Sequence, residues 1–130
     1  MRNHYYLNKL GVEHPDQWCP NDQREKKWKK ERKKYGFDSR ETWSLDSTFF
    51  MWLYEHLKMF MKVADGVVNL NFHKIEIDGV EHTQRQWILM CLEDLKEVLK
   101  SAYPKDNKDD KERTDRVMKI WSHIYPYMWW

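Results

Sequence analysis

The stretch from Phe49 to Ala64 constrains the fold most. Phe49, Leu53, Leu57, Phe60 and Ala64 recur at three- and four-residue steps, which lines one continuous face of an α-helix. Ser44 or Asp46 can cap its start, because a short side-chain oxygen accepts from the free N–H groups of a first turn. Phe50, Trp52, Tyr54 and Met61 add apolar surface away from that stripe. A helix apolar on more than one side is sandwiched between partners or sits at an interface. Glu55, His56, Lys58 and Lys62 interrupt the run, which excludes an ordinary membrane span, so no membrane partner is expected.

The other elements follow from stop and start signals. Asp65-Gly66 ends that helix, and residues 72–82 then alternate apolar and polar around Asp78-Gly79, a strong hairpin signal. Two strands this short must lean on helices. Thr83 and Gln86 have capping-box spacing, each able to satisfy a backbone donor near the other. Trp87, Ile88, Cys91, Leu92, Leu95, Val98 and Leu99 follow at helical period, and Tyr103-Pro104 closes this helix. Residues 105–112 read as a charged loop, and a last helix starts near Thr114 with Val117, Met118, Trp121 and Ile124 on one side. Upstream, Pro20 fits the first turn of a helix, and Gln23 to Lys34 reads as a polar helix stopped at Tyr35-Gly36. The expected fold is mainly α, about four helices with one small β-hairpin near residues 72–82. Residues 1–19 are expected as an N-terminal arm, 20–126 as a single helical domain, and 127–130 as an aromatic tail.

Composition resolves one ambiguity. Charged residues reach 34%, which alone suggests disorder, but aromatics reach 15% with eight Trp, and disordered chains are poor in aromatics. A Trp-rich core inside charged helix faces satisfies both. Cys19 and Cys91 do not suggest a disulfide framework, and Met1 to Tyr6 lacks the apolar run of a signal peptide. A reducing compartment is therefore expected.

The segment Lys34-Tyr35-Gly36-Phe37-Asp38-Ser39-Arg40-Glu41-Thr42-Trp43-Ser44-Leu45-Asp46 continues into Trp52-Leu53-Tyr54-Glu55-His56-Leu57-Lys58-Met59-Phe60. It resembles a family of small proteins of tailed bacteriophages and prophages, particularly of gut bacteria. Members share a Gly-Phe, then Thr-Trp-Ser-Leu-Asp, then an apolar helix with a Leu-Lys pair. The likeness covers about residues 33–63 well and extends loosely to about 100. It implies phage origin and action in the cytoplasm of the infected bacterial host. It carries over no functional residue. Physically, Trp43-Ser44-Leu45-Asp46 also reads as a helix start with capping oxygens and a staple.

Two surfaces are candidates for binding. Arg24, Lys26, Lys27, Lys29, Lys30, Arg32, Lys33 and Lys34 surround Trp28, with Glu25 and Glu31 as the acidic members. Eight basic against two acidic residues is a net +6, so a chain totalling +2 leaves −4 for the rest. Basic charge with an embedded Trp can grip phosphates and stack a base. It can also be a solvated helix with local ion pairs. The second surface is the tail, where Tyr125, Tyr127, Met128, Trp129 and Trp130 can dock on their own domain or, together with Trp52, serve as the aromatic anchors typical of an interface.

His4, His14, His56, His73, His82 and His123 have no metal-ligand spacing, and no catalytic signature stands out. No cofactor is expected. The favoured reading is a non-enzymatic binding or accessory protein that meets itself or another protein. One alternative is a nucleic-acid-binding accessory protein using residues 24–34. Another is a counter-defence protein that captures a host protein or a nucleotide signal.

Overall fold

The structure is a computed structural model and describes residues 15–101 and 107–130. Its elements are α1 (Glu25–Tyr35), α2 (Leu45–Ala64), β1 (Lys74–Ile77), β2 (Val80–Thr83), α3 (Gln84–Lys100) and α4 (Lys108–Ile124). Short 3-10 turns occupy Pro15–Gln17, Ser39–Thr42 and Tyr125–Tyr127. The fold is mainly α with one small antiparallel hairpin, as the sequence predicts. The chain divides into two compact units, residues 1–53 and 54–130, with the boundary inside α2. Most of the expected N-terminal arm, and Tyr103-Pro104, lie outside the described residues.

In the first unit, α1 starts later than expected. Pro20 lies in a turn between Cys19 and Asn21, both in the left-handed region at φ 55° and 62°, so it is not part of the helix. Asp22 accepts from the Arg24 backbone N–H and guanidinium just before α1. The helix ends where the sequence predicts: Gly36 sits at φ 83° and its N–H donates to the Arg32 carbonyl. A side chain is strained at that φ, which is why glycine stands there. Trp28 is the fully buried aromatic of α1.

The α2 stripe is rotated from its expected position. Leu53, Leu57 and Ala64 are buried, but Phe49 and Phe60 are only half-buried. Phe50, Met51 and Tyr54 are buried instead. Apolar residues on several faces of α2 let packing choose a stripe that periodicity alone does not single out.

In the second unit the hairpin register pairs Lys74 with Thr83 and Ile77 with Val80. Asp78 and Gly79 both have positive φ, 51° and 80°, the signature of a type I′ turn. Ile75 and Ile77 point inward. The Trp87 indole N–H donates to the Ile75 carbonyl at 2.7 Å, and the His82 ring lies edge-on to Trp87. The hairpin thus leans on α3. Thr83 and Gln86 form the reciprocal capping box. Trp87, Ile88, Cys91, Leu95 and Val98 make the buried face of α3, which packs against α4.

The start of α4 differs most from expectation. Residues 108–112 are helical because the Asn107 side chain accepts from the Asp109 and Asp110 N–H groups, and both acids sit at the positive end of the helix dipole. A charged run without apolar residues hides a helix whose first buried residue is Asp110 and whose first buried apolar residue is Val117. Its buried apolar positions are Val117, Ile120 and Ile124, while Met118 is exposed and Trp121 half-buried.

Candidate nucleic-acid interface

On α1, 3.6 residues per turn places Lys29, Lys33, Lys26, Lys30, Lys34 and Lys27 in that order around one side, an arc of about 160°. All six are exposed. Trp28, Glu25, Arg32 and Glu31 take the remaining side. Both acids of the helix turn away from the lysines. Glu25 accepts from Arg32 at 2.5 Å, and Glu31 accepts from the Ser39 hydroxyl at 2.9 Å. Among the described residues no carboxylate forms an ion pair with any of the six lysines. The local ion pairing expected of the two acids is met by Glu25, which pairs with Arg32 away from the six lysines.

The inward side of α1 is held by a polar node. Asp38, with a fully buried carboxylate, caps the turn Ser39–Thr42 by accepting from the Arg40 N–H at 3.0 Å. Its two oxygens also take the Arg40 guanidinium at 3.0 and 2.7 Å, and one takes Arg32 at 2.8 Å. Arg40 has its remaining donor on the Trp18 carbonyl at 2.6 Å. Its guanidinium carbon is 4.3 Å from the Trp28 ring centroid, and that of Arg24 covers the same indole at 4.9 Å. Trp43 meets Trp28 edge-on at 5.8 Å and stacks with Trp18 at 6.3 Å. Burial pushes the Asp38 pKa up, but the hydrogen bonds from Arg40 and Arg32 outweigh it and hold the group below its ordinary 3.8.

Three members of the expected basic site are thereby reassigned. Trp28 is 1% exposed and cannot stack a base, because Arg24, Arg40 and Trp43 enclose it. Arg32 bridges Glu25 and Asp38. Arg24 is paired with Asp22, whose pKa its hydrogen bond lowers to about 2. Lys26, Lys27, Lys29, Lys30, Lys33 and Lys34 remain available. The sequence reading missed Tyr35 and Phe37, both exposed at the end of α1, where Lys34 lies 5.1 Å from the Tyr35 ring centroid. It also missed the Asp38–Arg40 pair, for which Asp-x-Arg before a helix start was the only signal.

The C-terminal surface belongs to the second unit. The buried Gln84 amide donates to the Tyr127 carbonyl at 3.1 Å and approaches the Met128 sulfur at 3.6 Å. The Tyr127 ring lies 4.8 Å from that of His73. Tyr127, still partly exposed, and Met128 are thus docked, whereas Tyr125, Trp129 and Trp130 are more fully exposed. Trp52, in the first unit, is partly exposed and stacks on Phe49 at 6.5 Å.

Among the described residues no group of three or more His, Cys, Asp or Glu is placed to hold a metal ion. Burial, with Asp94 adding repulsion, pushes the Cys91 thiol up to about 12, which keeps it protonated at neutral pH. No described helix is long and apolar enough to cross a membrane. No family model, curated protein or solved structure matches the chain.

Proposed function

We propose that this chain is a non-enzymatic accessory protein that binds nucleic acid through the lysine face of α1. The observation that carries the reading is the set of six exposed lysines with no carboxylate partner among the described residues. Such a face attracts a polyanion, and binding releases the counterions condensed on phosphate. The polar node around Asp38 supports the same reading, since it fixes α1 by its opposite side and leaves the lysines to solvent. The setting we propose is the cytoplasm of a phage-infected bacterium, which rests on the likeness of residues 33–63 to the phage family alone.

The test is binding to a labelled oligonucleotide across a salt series. Affinity should fall as salt rises, and Lys26, Lys27, Lys29 and Lys30 all changed to Gln should abolish binding at moderate salt. Unchanged binding in that variant would move the site elsewhere. A nucleotide that raises the melting temperature, with nucleic acid giving no effect, would replace this reading with capture of a small signal.

A second reading is self-association through the tail. Tyr127 and Met128 are pinned by Gln84 while Trp129 and Trp130 stay in water. Anchored aromatics of this kind suit a self-complementary contact between two copies. Changing Trp129 and Trp130 to Ala should lower the mass observed across a concentration series. A parent chain that is monomeric at high concentration would end this reading.

A further inference from the structure

We propose that the α1 site selects single-stranded over duplex nucleic acid, with Tyr35 and Phe37 as the surfaces on which unpaired bases stack. This rests on the lysine-face reading above. Tyr35 is 58% and Phe37 44% exposed. Gly36 turns the chain between them, and their ring centroids lie 6.2 Å apart at a 41° tilt. Tyr35 follows Trp28 by seven residues and so shares its side of α1. Trp28 is enclosed at that position, and Tyr35 is in solvent. The tyrosine ring is therefore not filling the interior. The Lys34 ammonium, next to the Lys27 edge of the lysine arc, lies 5.1 Å from the Tyr35 ring centroid. A phosphate held by Lys34 would thus bring its base within reach of Tyr35 and of Phe37 beside it.

The same test separates other aromatics from this role. Trp43 is also partly exposed, but it is engaged by Trp18, by the edge of Trp28 and by Arg24. Lysines alone do not distinguish strandedness, because both forms carry phosphate. A duplex hides the faces of its bases, whereas every unpaired base offers one, so rings beside a basic face favour the single strand.

The experiment measures anisotropy of a labelled mixed-sequence single strand and of a hairpin duplex with the same number of phosphates. The full chain is compared with Tyr35→Ala, Phe37→Ala and the double variant. The parent should prefer the single strand. Each ring removed should weaken single-strand binding roughly five- to hundredfold and leave duplex binding unchanged. Tyr35→Phe should keep the preference. Phe37→Leu retains apolar bulk without a π-face and should weaken it by the contribution of one ring, which decides the matter if the alanine variants fold poorly. Equal affinity of the parent for both forms would overturn the proposal, as would full single-strand affinity in Phe37→Leu. Absence of binding to either form at low salt would instead remove the lysine-face reading beneath it.

Discussion

Trp28 and Leu95 are both fully buried, but their surroundings differ. Trp28 is enclosed by two guanidinium groups and another indole, with Arg40 fixed by the buried Asp38. Leu95 belongs to an aliphatic layer with Ile88, Cys91, Val98, Val117, Ile120 and Ile124. Charges follow the same division. In the second unit Arg116 pairs with Asp94, Arg113 with Asp110, Arg85 with Asp65, and Lys119 with Asp78. In the first unit Arg32 and Arg40 are used inside, Arg24 pairs with Asp22 at the surface, and the six lysines of α1 have no such partner among the described residues. A region that orders itself through arginine and carboxylate can carry a one-sign face without dissolving it into local pairs.

The strongest way to break this contrast is Asp38→Ala. It strands the buried Arg40 guanidinium, and loss of one partner from a buried pair costs about 3–5 kcal/mol. Amide hydrogen exchange should report that loss in α1. Leu95→Ala should cost about 2–5 kcal/mol through transfer and cavity terms, read by exchange in α3 and α4. A loss of α1 protection under about 1 kcal/mol in Asp38→Ala would place the polar node outside the forces that hold the first unit.

Acid sharpens the comparison. The folded pKa of Asp38 is lowered, so its contribution is present above the unfolded value near 3.8 and is lost as pH falls through the folded value. The stability difference between the parent and Asp38→Asn should therefore shrink as pH drops below about 4. A difference that grows on acidification would have the wrong sign for this account. Asp94→Ala should cost no more than about 1 kcal/mol, because its partner Arg116 is half exposed and screened. Smallest of all, the four-lysine change to Gln should move stability by about 0.5 kcal/mol or less, since surface positions without partners carry little.

How much of this was legible beforehand depended on how local the signal was. The hairpin at Asp78-Gly79, the Thr83 capping box and the Gly36 stop are contained in a few adjacent residues, and each appears where the sequence places it. The buried stripe of α2 and the start of α4 were shifted, because the first depends on which apolar face finds cover and the second on an asparagine cap ahead of a charged turn. The lysines of α1 were legible as a group. Their separation from Glu25 and Glu31 was not, because it depends on Arg32 and Ser39 drawing both acids to the other side. The enclosure of Trp28 was equally hidden, since Arg40 reaches it from twelve residues away in sequence.

The central claim is that the outward lysines of α1 meet phosphate, and the slope of binding against salt tests it most directly. With single-stranded oligonucleotide, the logarithm of affinity against the logarithm of salt should fall with a slope of about −4 if all six lysines engage, at about 0.7 per contact. The Lys26, Lys27, Lys29 and Lys30 to Gln variant should retain a slope of about −1.4 on the same basis. A parent protein that binds with no salt dependence, or a variant whose slope equals that of the parent, would contradict the account.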